Sequence, residues 1–132
     1  MSEPLICDWP AVPASVAKAR AAVAGFAAAA GADEAEIGGM KLAVSEAVSN
    51  VVVHAYIDSD GPGPIRLTVT REPGSVRVAV ADEGRGMIPR TDSPGSGLGL
   101  PLIAQMTQGF QLDRSDGGGT SLEMQFTVRA LS

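Results

Sequence analysis

The sequence has little with which to staple itself, bind a polyanion or cross a membrane. Its one cysteine, Cys7, cannot form an intrachain disulfide or a cysteine-based zinc site, so a reducing, cytoplasmic setting is expected. Ten Lys and Arg stand against 15 Asp and Glu, giving a net charge of -5. The basic residues are scattered, which leaves no footprint for nucleic acid or an anionic membrane surface. Aromatic residues make up only 4% of the chain, too few for base-stacking platforms. The uncharged stretch Ala21 to Ala32 is mostly Ala and shorter than the roughly 20 residues that span a bilayer. Met1 to Pro10 has no basic region ahead of an apolar one, so no secretion leader is expected there.

The 132 residues suit a single domain, 1–132. Glu3 to Asp8, bounded by Pro4 and Pro10, fits an edge strand. Pro13 to Ala30 is Ala-rich with Val16, Val23 and Phe26 at helical spacing, and Gly31 suits its C-terminal cap. Asp33 and Glu36 have capping-box spacing, and Ile37, Met40, Val44, Val48, Val51 and Ala55 then recur every three or four residues. A second helix is expected to run to about Tyr56. Gly61-Pro62-Gly63-Pro64 breaks it, and Ile65, Leu67 and Val69 alternate with polar residues as in a strand. Across the Glu72-Pro73-Gly74-Ser75 turn, Val76, Val78 and Val80 alternate in the same way toward Asp82, completing a hairpin. A glycine-rich stretch precedes a third helix, Leu98 to Gln108, with Gly109 as its cap. Phe110 to Arg114 and Ser121 to Val128 form a last hairpin. This order predicts an α+β two-layer sandwich, helices on one face of a mixed, mostly antiparallel sheet.

Three clusters carry chemistry. Glu46, Asn50 and His54 recur at i, i+4 and i+8, drifting about 40° per step, so they share one stripe beside the apolar face of the second helix. That stripe fits either a solvated face or one wall of a cleft, where a carboxylate takes a proton and an Asn carbonyl holds a hard cation. Asp82-Glu83-Gly84-Arg85-Gly86 follows a Val-rich strand, and its acid points beyond the sheet end, where it could accept from an exocyclic amine. Gly84 and Gly86 suit either an ordinary turn or a close approach to a flat ligand with positive φ. Gly95-Ser96-Gly97-Leu98-Gly99-Leu100 opens a helix, where free N–H groups and the helix dipole favour a phosphate. It is neither a Walker A loop nor a dinucleotide fingerprint, and the His-Arg-Asp and Asp-Phe-Gly sequences of protein kinases are absent.

In this order, Glu46-Ala47-Val48-Ser49-Asn50, Asp82-x-Gly84-x-Gly86 and Gly95-Ser96-Gly97-Leu98-Gly99 resemble the N, G1 and G2 boxes of Bergerat-fold (GHKL) ATPases. The anti-sigma factor serine kinases are the most similar group, and the resemblance covers nearly the whole chain. It implies a Bergerat fold, ATP and Mg²⁺ as ligands, and a homodimer. Asn50 is then expected to ligate Mg²⁺, Asp82 to bind the adenine amino group, and Gly84 and Gly86 to shape the base pocket. Gly95, Gly97, Leu98 and Gly99 are expected to cradle the phosphates, and Thr120 to support the Asp82 end. Glu46 is expected to be the general base that prepares a partner's serine for in-line attack. The implied partners are a sigma factor and an anti-anti-sigma (STAS-type) protein, with Arg20 on the first helix as a partner contact. His54 is open between a structural hydrogen bond and catalysis, and Trp9 and Cys7 between packing and a dimer contact. Only Met87 to Ser96, with Arg90, separate Gly86 from Gly97, a shorter lid than the family's kinases carry. It motivates one alternative, a non-catalytic Bergerat-fold adaptor for regulatory partners; a simple ATPase acting on water is another.

Overall fold

A computed structural model describes residues 3–57, 59–84, 99–114 and 118–132. Strand β1, Leu5–Pro10, lies at a sheet edge, where its terminal proline interrupts no further ladder. Helix α1, Ala14–Ala29, and helix α2, Glu34–Asn50, follow as an antiparallel pair packed on each other. Asp33 caps α2 by accepting from the Glu36 N–H at 2.8 Å, while Glu36 accepts from the Asp33 N–H at 2.9 Å, a closed capping box. At its other end α2 passes into a π-helical turn, Val51–Ala55.

Strands β2, Pro64–Glu72, and β3, Ser75–Asp82, form the hairpin that their period-two pattern requires. Helix α3, Gly99–Met106, precedes β4, Gly109–Arg114, and β5, Thr120–Thr127. The sheet order is β1-β2-β3-β5-β4. Every pairing among the described residues is antiparallel, where the sequence left room for a parallel one. Strands β3 and β4 run in the same direction, but β5 returns between them. The α3 crossover therefore skips one strand position and leaves no parallel neighbours.

Alternation sorts the sheet into two faces. Leu67, Val80 and Leu122 stand in one row across β2, β3 and β5, and Val69, Val78 and Met124 in the next. All six are buried, against α1 and α2 residues such as Val23, Met40, Val44 and Val48. The opposite face carries Arg66, Arg77 and Glu123, with Arg77 between Glu72 at 3.2 Å and Glu123 at 3.7 Å. A C-terminal turn, Arg129–Leu131, returns to the start of α2, where the Arg129 N–H donates to Glu36 at 3.0 Å and its guanidinium pairs with Asp33.

Three boundaries differ from expectation: β1 lies at Leu5–Pro10 and not Glu3–Asp8, α2 gives way to the π turn after Asn50 before reaching Tyr56, and the third helix ends early. Helix α3 ends at Met106, and Gly109 opens β4 instead of capping the helix. The Gln108 N–H is already taken by the Gln125 carbonyl of β5 at 2.7 Å, so strand pairing replaces the last helical turn. Gly109 accordingly has no positive φ.

Because the apolar rows hold the layers together, Leu67→Ala is expected to lower the unfolding free energy by about 2–5 kcal/mol in denaturant titration. Ile6→Ala on the exposed side of β1 is expected to change it by no more than about 0.5 kcal/mol.

Candidate functional site

At one end of the sheet the inward-facing apolar rows give way to polar residues. After Val76, Val78 and Val80, the next inward position of β3 is Asp82; before Leu122, Met124 and Phe126, that of β5 is Thr120. The two are direct cross-strand partners, with Ile65 on one side and Arg114 paired to Thr120 on the other. Asp82 is 6% and Thr120 5% exposed. A carboxylate buried on the core side of a sheet does nothing for packing and costs desolvation, which marks this row as a ligand-site candidate. Burial pushes the Asp82 carboxyl up to about 6, against the opposing pull of the Gly84 N–H and the Arg114 charge. The Gly84 N–H donates to Asp82 Oδ1 at 3.0 Å, closing a short turn after the strand.

The C-terminal end of α2 converges on this row. Asn50 is the last residue of α2 and 9% exposed; Glu46, one turn earlier on the same face, is half-buried. His54 lies half-buried on the π turn. An i→i+5 turn winds less per residue than an α-helix, so the step from Asn50 to His54 does not repeat the drift of about 40° from Glu46 to Asn50. Extra-wide turns of this kind recur at functional sites.

Gly84 shows how tightly the two elements meet. A Cβ there would lie 2.1 Å from the Ala55 carbonyl oxygen and 2.9 Å from the Tyr56 ring. Gly84 is not at positive φ. The sequence left Gly84 open between an ordinary turn and close approach to a ligand with positive φ; the structure shows a turn without positive φ, in which the missing side chain makes room for the chain's own π turn. Tyr56, read from the sequence only as a helix end, is central to this contact. Its hydroxyl donates to the Pro64 carbonyl at 2.6 Å and accepts from the Glu83 N–H at 2.8 Å. Its being the chain's only tyrosine, directly after the Glu46/Asn50/His54 series, was the available signal. Arg114 was also missed, since its place beside Thr120 depends on strand order.

The structure thus brings Asp82, Gly84 and Thr120 to one sheet end, with Gly84 against the π turn that follows Asn50, and Glu46 stands one turn before Asn50 on α2. Gly99 is the first residue of α3. Gly86, Gly95, Gly97 and Leu98, together with Arg90 and the 87–96 segment, lie outside the described residues. Arg20 is exposed on α1. Among the described residues, no helix is long and apolar enough to cross a membrane.

Asp82→Asn keeps an oxygen for the Gly84 N–H while removing the buried charge. It is expected to raise the unfolding free energy by about 1–2 kcal/mol near neutral pH. The folded-state pKa lies above the unfolded one, so the native protein binds more protons, and the wild-type penalty grows as pH rises from about 4 to about 6. The gain from Asp82→Asn is therefore full above about pH 6 and vanishes below about pH 4, as denaturant titrations at the two extremes would show.

Comparison with known proteins agrees with this geometry. Residues 9–126 match the histidine kinase-like ATPase domain family. A protein named Anti-sigma F factor from Clostridium botulinum (strain Eklund 17B / Type B) is 32% identical over 125 residues, covering 86% of this chain and 87% of that protein. The Anti-sigma F factor of Caldanaerobacter subterraneus is 30% identical over 117 residues, 80% of each chain. Among solved structures, the RsbU and RsbW domains of a Mycobacterium tuberculosis protein superpose on 96% of this chain and 33% of that one, with a TM-score of 0.75 and 24% identity, a likeness of fold. The histidine kinase domain of a blue-light activated histidine kinase from Erythrobacter litoralis gives a TM-score of 0.60 at 27% identity, over 87% of this chain and 60% of that one. The polar row beneath the sheet end, the Asn at the close of α2 and these likenesses agree: the chain belongs to the histidine kinase-like ATPase domain family, together with the anti-sigma F factors.

Proposed function

We propose that the protein is an ATP-dependent anti-sigma factor with protein serine kinase activity, binding a sigma factor and phosphorylating a serine of an anti-anti-sigma (STAS-type) partner. The observation that carries the reading is the buried Asp82–Thr120 pair facing the Asn50 end of α2, in a chain whose relatives are named Anti-sigma F factor. A buried acid with a hydroxyl beside it suits a flat, amine-bearing base. Asp82 accepts from the exocyclic amine, and Thr120 supports it directly or through water. By resemblance, Gly84 and Gly86 shape that pocket.

The Asn50 carbonyl is a neutral oxygen donor, and no cluster of three His, Cys, Asp or Glu suited to a metal ion occurs among the described residues. Such a donor set fits Mg²⁺, which keeps phosphate oxygens and waters as most of its ligands. When bound, Mg²⁺ offsets the charge of the phosphates. Backbone N–H groups of Gly95 to Gly99, at the entry to α3, are assigned to those phosphates by resemblance. Glu46 takes the proton of the partner's serine as its oxygen attacks the γ-phosphorus, ADP leaves, and a phosphoserine remains. Arg20, exposed on α1, is assigned to partner contact. The free thiol of Cys7 is consistent with a cytoplasmic setting, and the outer edge of β1, with Ile6 56% exposed, with a homodimer.

Calorimetric titration with Mg-ATP tests the site. Asn50→Ala is expected to weaken Mg-ATP binding at least tenfold. Glu46→Ala is expected to leave binding within about twofold while reducing phosphate transfer to a partner serine by at least a hundredfold, read by mass spectrometry. Unchanged transfer after Glu46→Ala would sink the assignment of the base, and a wild type that binds no nucleotide would leave the adaptor reading. Since Asp82 accepts the amine hydrogen bond best as a carboxylate, ATP affinity is expected to be steady above about pH 6 and to fall as pH drops below it, a trend that Asp82→Asn removes.

A further inference from the structure

Two backbone N–H groups follow Asp82, and each has a defined partner. The Gly84 N–H is held by the Asp82 carboxylate itself, and the Glu83 N–H by the Tyr56 hydroxyl at 2.8 Å. The same hydroxyl donates to the Pro64 carbonyl at 2.6 Å, at the start of β2, one residue before Ile65, which pairs with Asp82. One oxygen therefore ties the start of β2 to the end of β3. The ring is equally confined. A Cβ on Gly63 would lie 2.3 Å from it and one on Gly84 2.9 Å, so two glycines give it the space it occupies. Burial, with Asp82 and Glu83 nearby, holds the phenol above its ordinary 10, so it keeps its proton for Pro64 at any working pH. Tyr56 directly follows the π turn that begins after Asn50.

We propose that Tyr56 is a positioning residue for base recognition, its hydroxyl fixing the peptide after Asp82 and so aiming the Asp82 carboxylate at an exocyclic amine. The inference rests on the reading of Asp82 as the acid that meets the adenine amino group. A hydroxyl that only stabilised the fold would act on all nucleotides alike. One that aims Asp82 acts on nucleotides bearing the amine, because oriented polar groups discriminate by the bond they make or leave unmade.

Tyr56→Phe keeps the ring in its slot and removes both hydrogen bonds. With the full chain and Mg²⁺ present, wild type, Tyr56→Phe and Asp82→Asn are each titrated with ATP and with inosine triphosphate, which carries a carbonyl in place of the amine. Wild type is expected to prefer ATP. Tyr56→Phe is expected to lose about tenfold in ATP affinity with inosine triphosphate affinity kept within twofold, so that its preference approaches that of Asp82→Asn. An ATP to inosine triphosphate ratio equal to that of wild type overturns the proposal. A wild type without preference, matched by Asp82→Asn, overturns the Asp82 reading and this one with it, and is recognised before Tyr56→Phe is considered. Should Tyr56→Phe fail to fold, 3-fluorotyrosine can be introduced at this sole tyrosine. Its fluorine resonance is expected to shift on adding ATP or adenosine and to stay in place with tripolyphosphate; an unmoved resonance at saturating ATP overturns the proposal.

Discussion

The contact between Gly84 and the carbonyl of Ala55 is the constraint on which the site depends. Without a side chain, Gly84 lets the end of β3 lie directly against the π turn that continues α2. Asn50 and Asp82 belong to different layers of the sandwich, one at a helix end and one at a strand end. They can serve a single ligand only if those ends are held at a fixed spacing. Tyr56 occupies the remaining gap, hydrogen bonded to β2 and to the peptide after Asp82. Its ring and the two glycines around it form one packed unit.

The apolar rows explain why this end can tolerate a poorly placed acid. Leu67, Val80, Leu122 and their neighbours supply the burial that fixes helix to sheet, and they stop one row short of Asp82 and Thr120. The last row therefore contributes little to the core and bears a desolvation cost, visible in the raised pKa of Asp82. On the proposed reading, removing that charge would help the fold and harm recognition, which is the relation expected where function rather than stability chooses the residue.

Local patterns made most elements legible in the sequence. The capping box at Asp33 and Glu36, the recurrence from Ile37 to Ala55 and the alternation in β2 and β3 are properties of neighbouring residues, and the structure has helices and strands there. The order and spacing of the glycine boxes and the Glu46/Asn50 pair carried the resemblance to the family in which the comparison with known proteins places the chain. What stayed hidden depends on distant partners. Tyr56 finds its hydrogen bonds at Pro64 and Glu83, and Arg114 comes beside Thr120 only because β4 pairs with β5. The π turn has no composition of its own, as Val51 to Ala55 would also serve an α-helix. Gly84 stayed open in the sequence because a glycine that frees φ and one that makes room for a carbonyl look alike there.

Burial also separates which molecule can meet which group. Asp82, Thr120 and Asn50 are all nearly inaccessible in the folded chain. Glu46 sits one turn back on the same helix and is half-buried, open enough to be approached from outside. On the proposed reading, the buried residues would meet the base of a nucleotide, and the carboxylate nearer the surface the end that carries its phosphates. A single helix carries both Glu46 and Asn50, so any shift of α2 against Gly84 would move the two together, and the Tyr56 hydrogen bonds to β2 and to the peptide after Asp82 resist that shift.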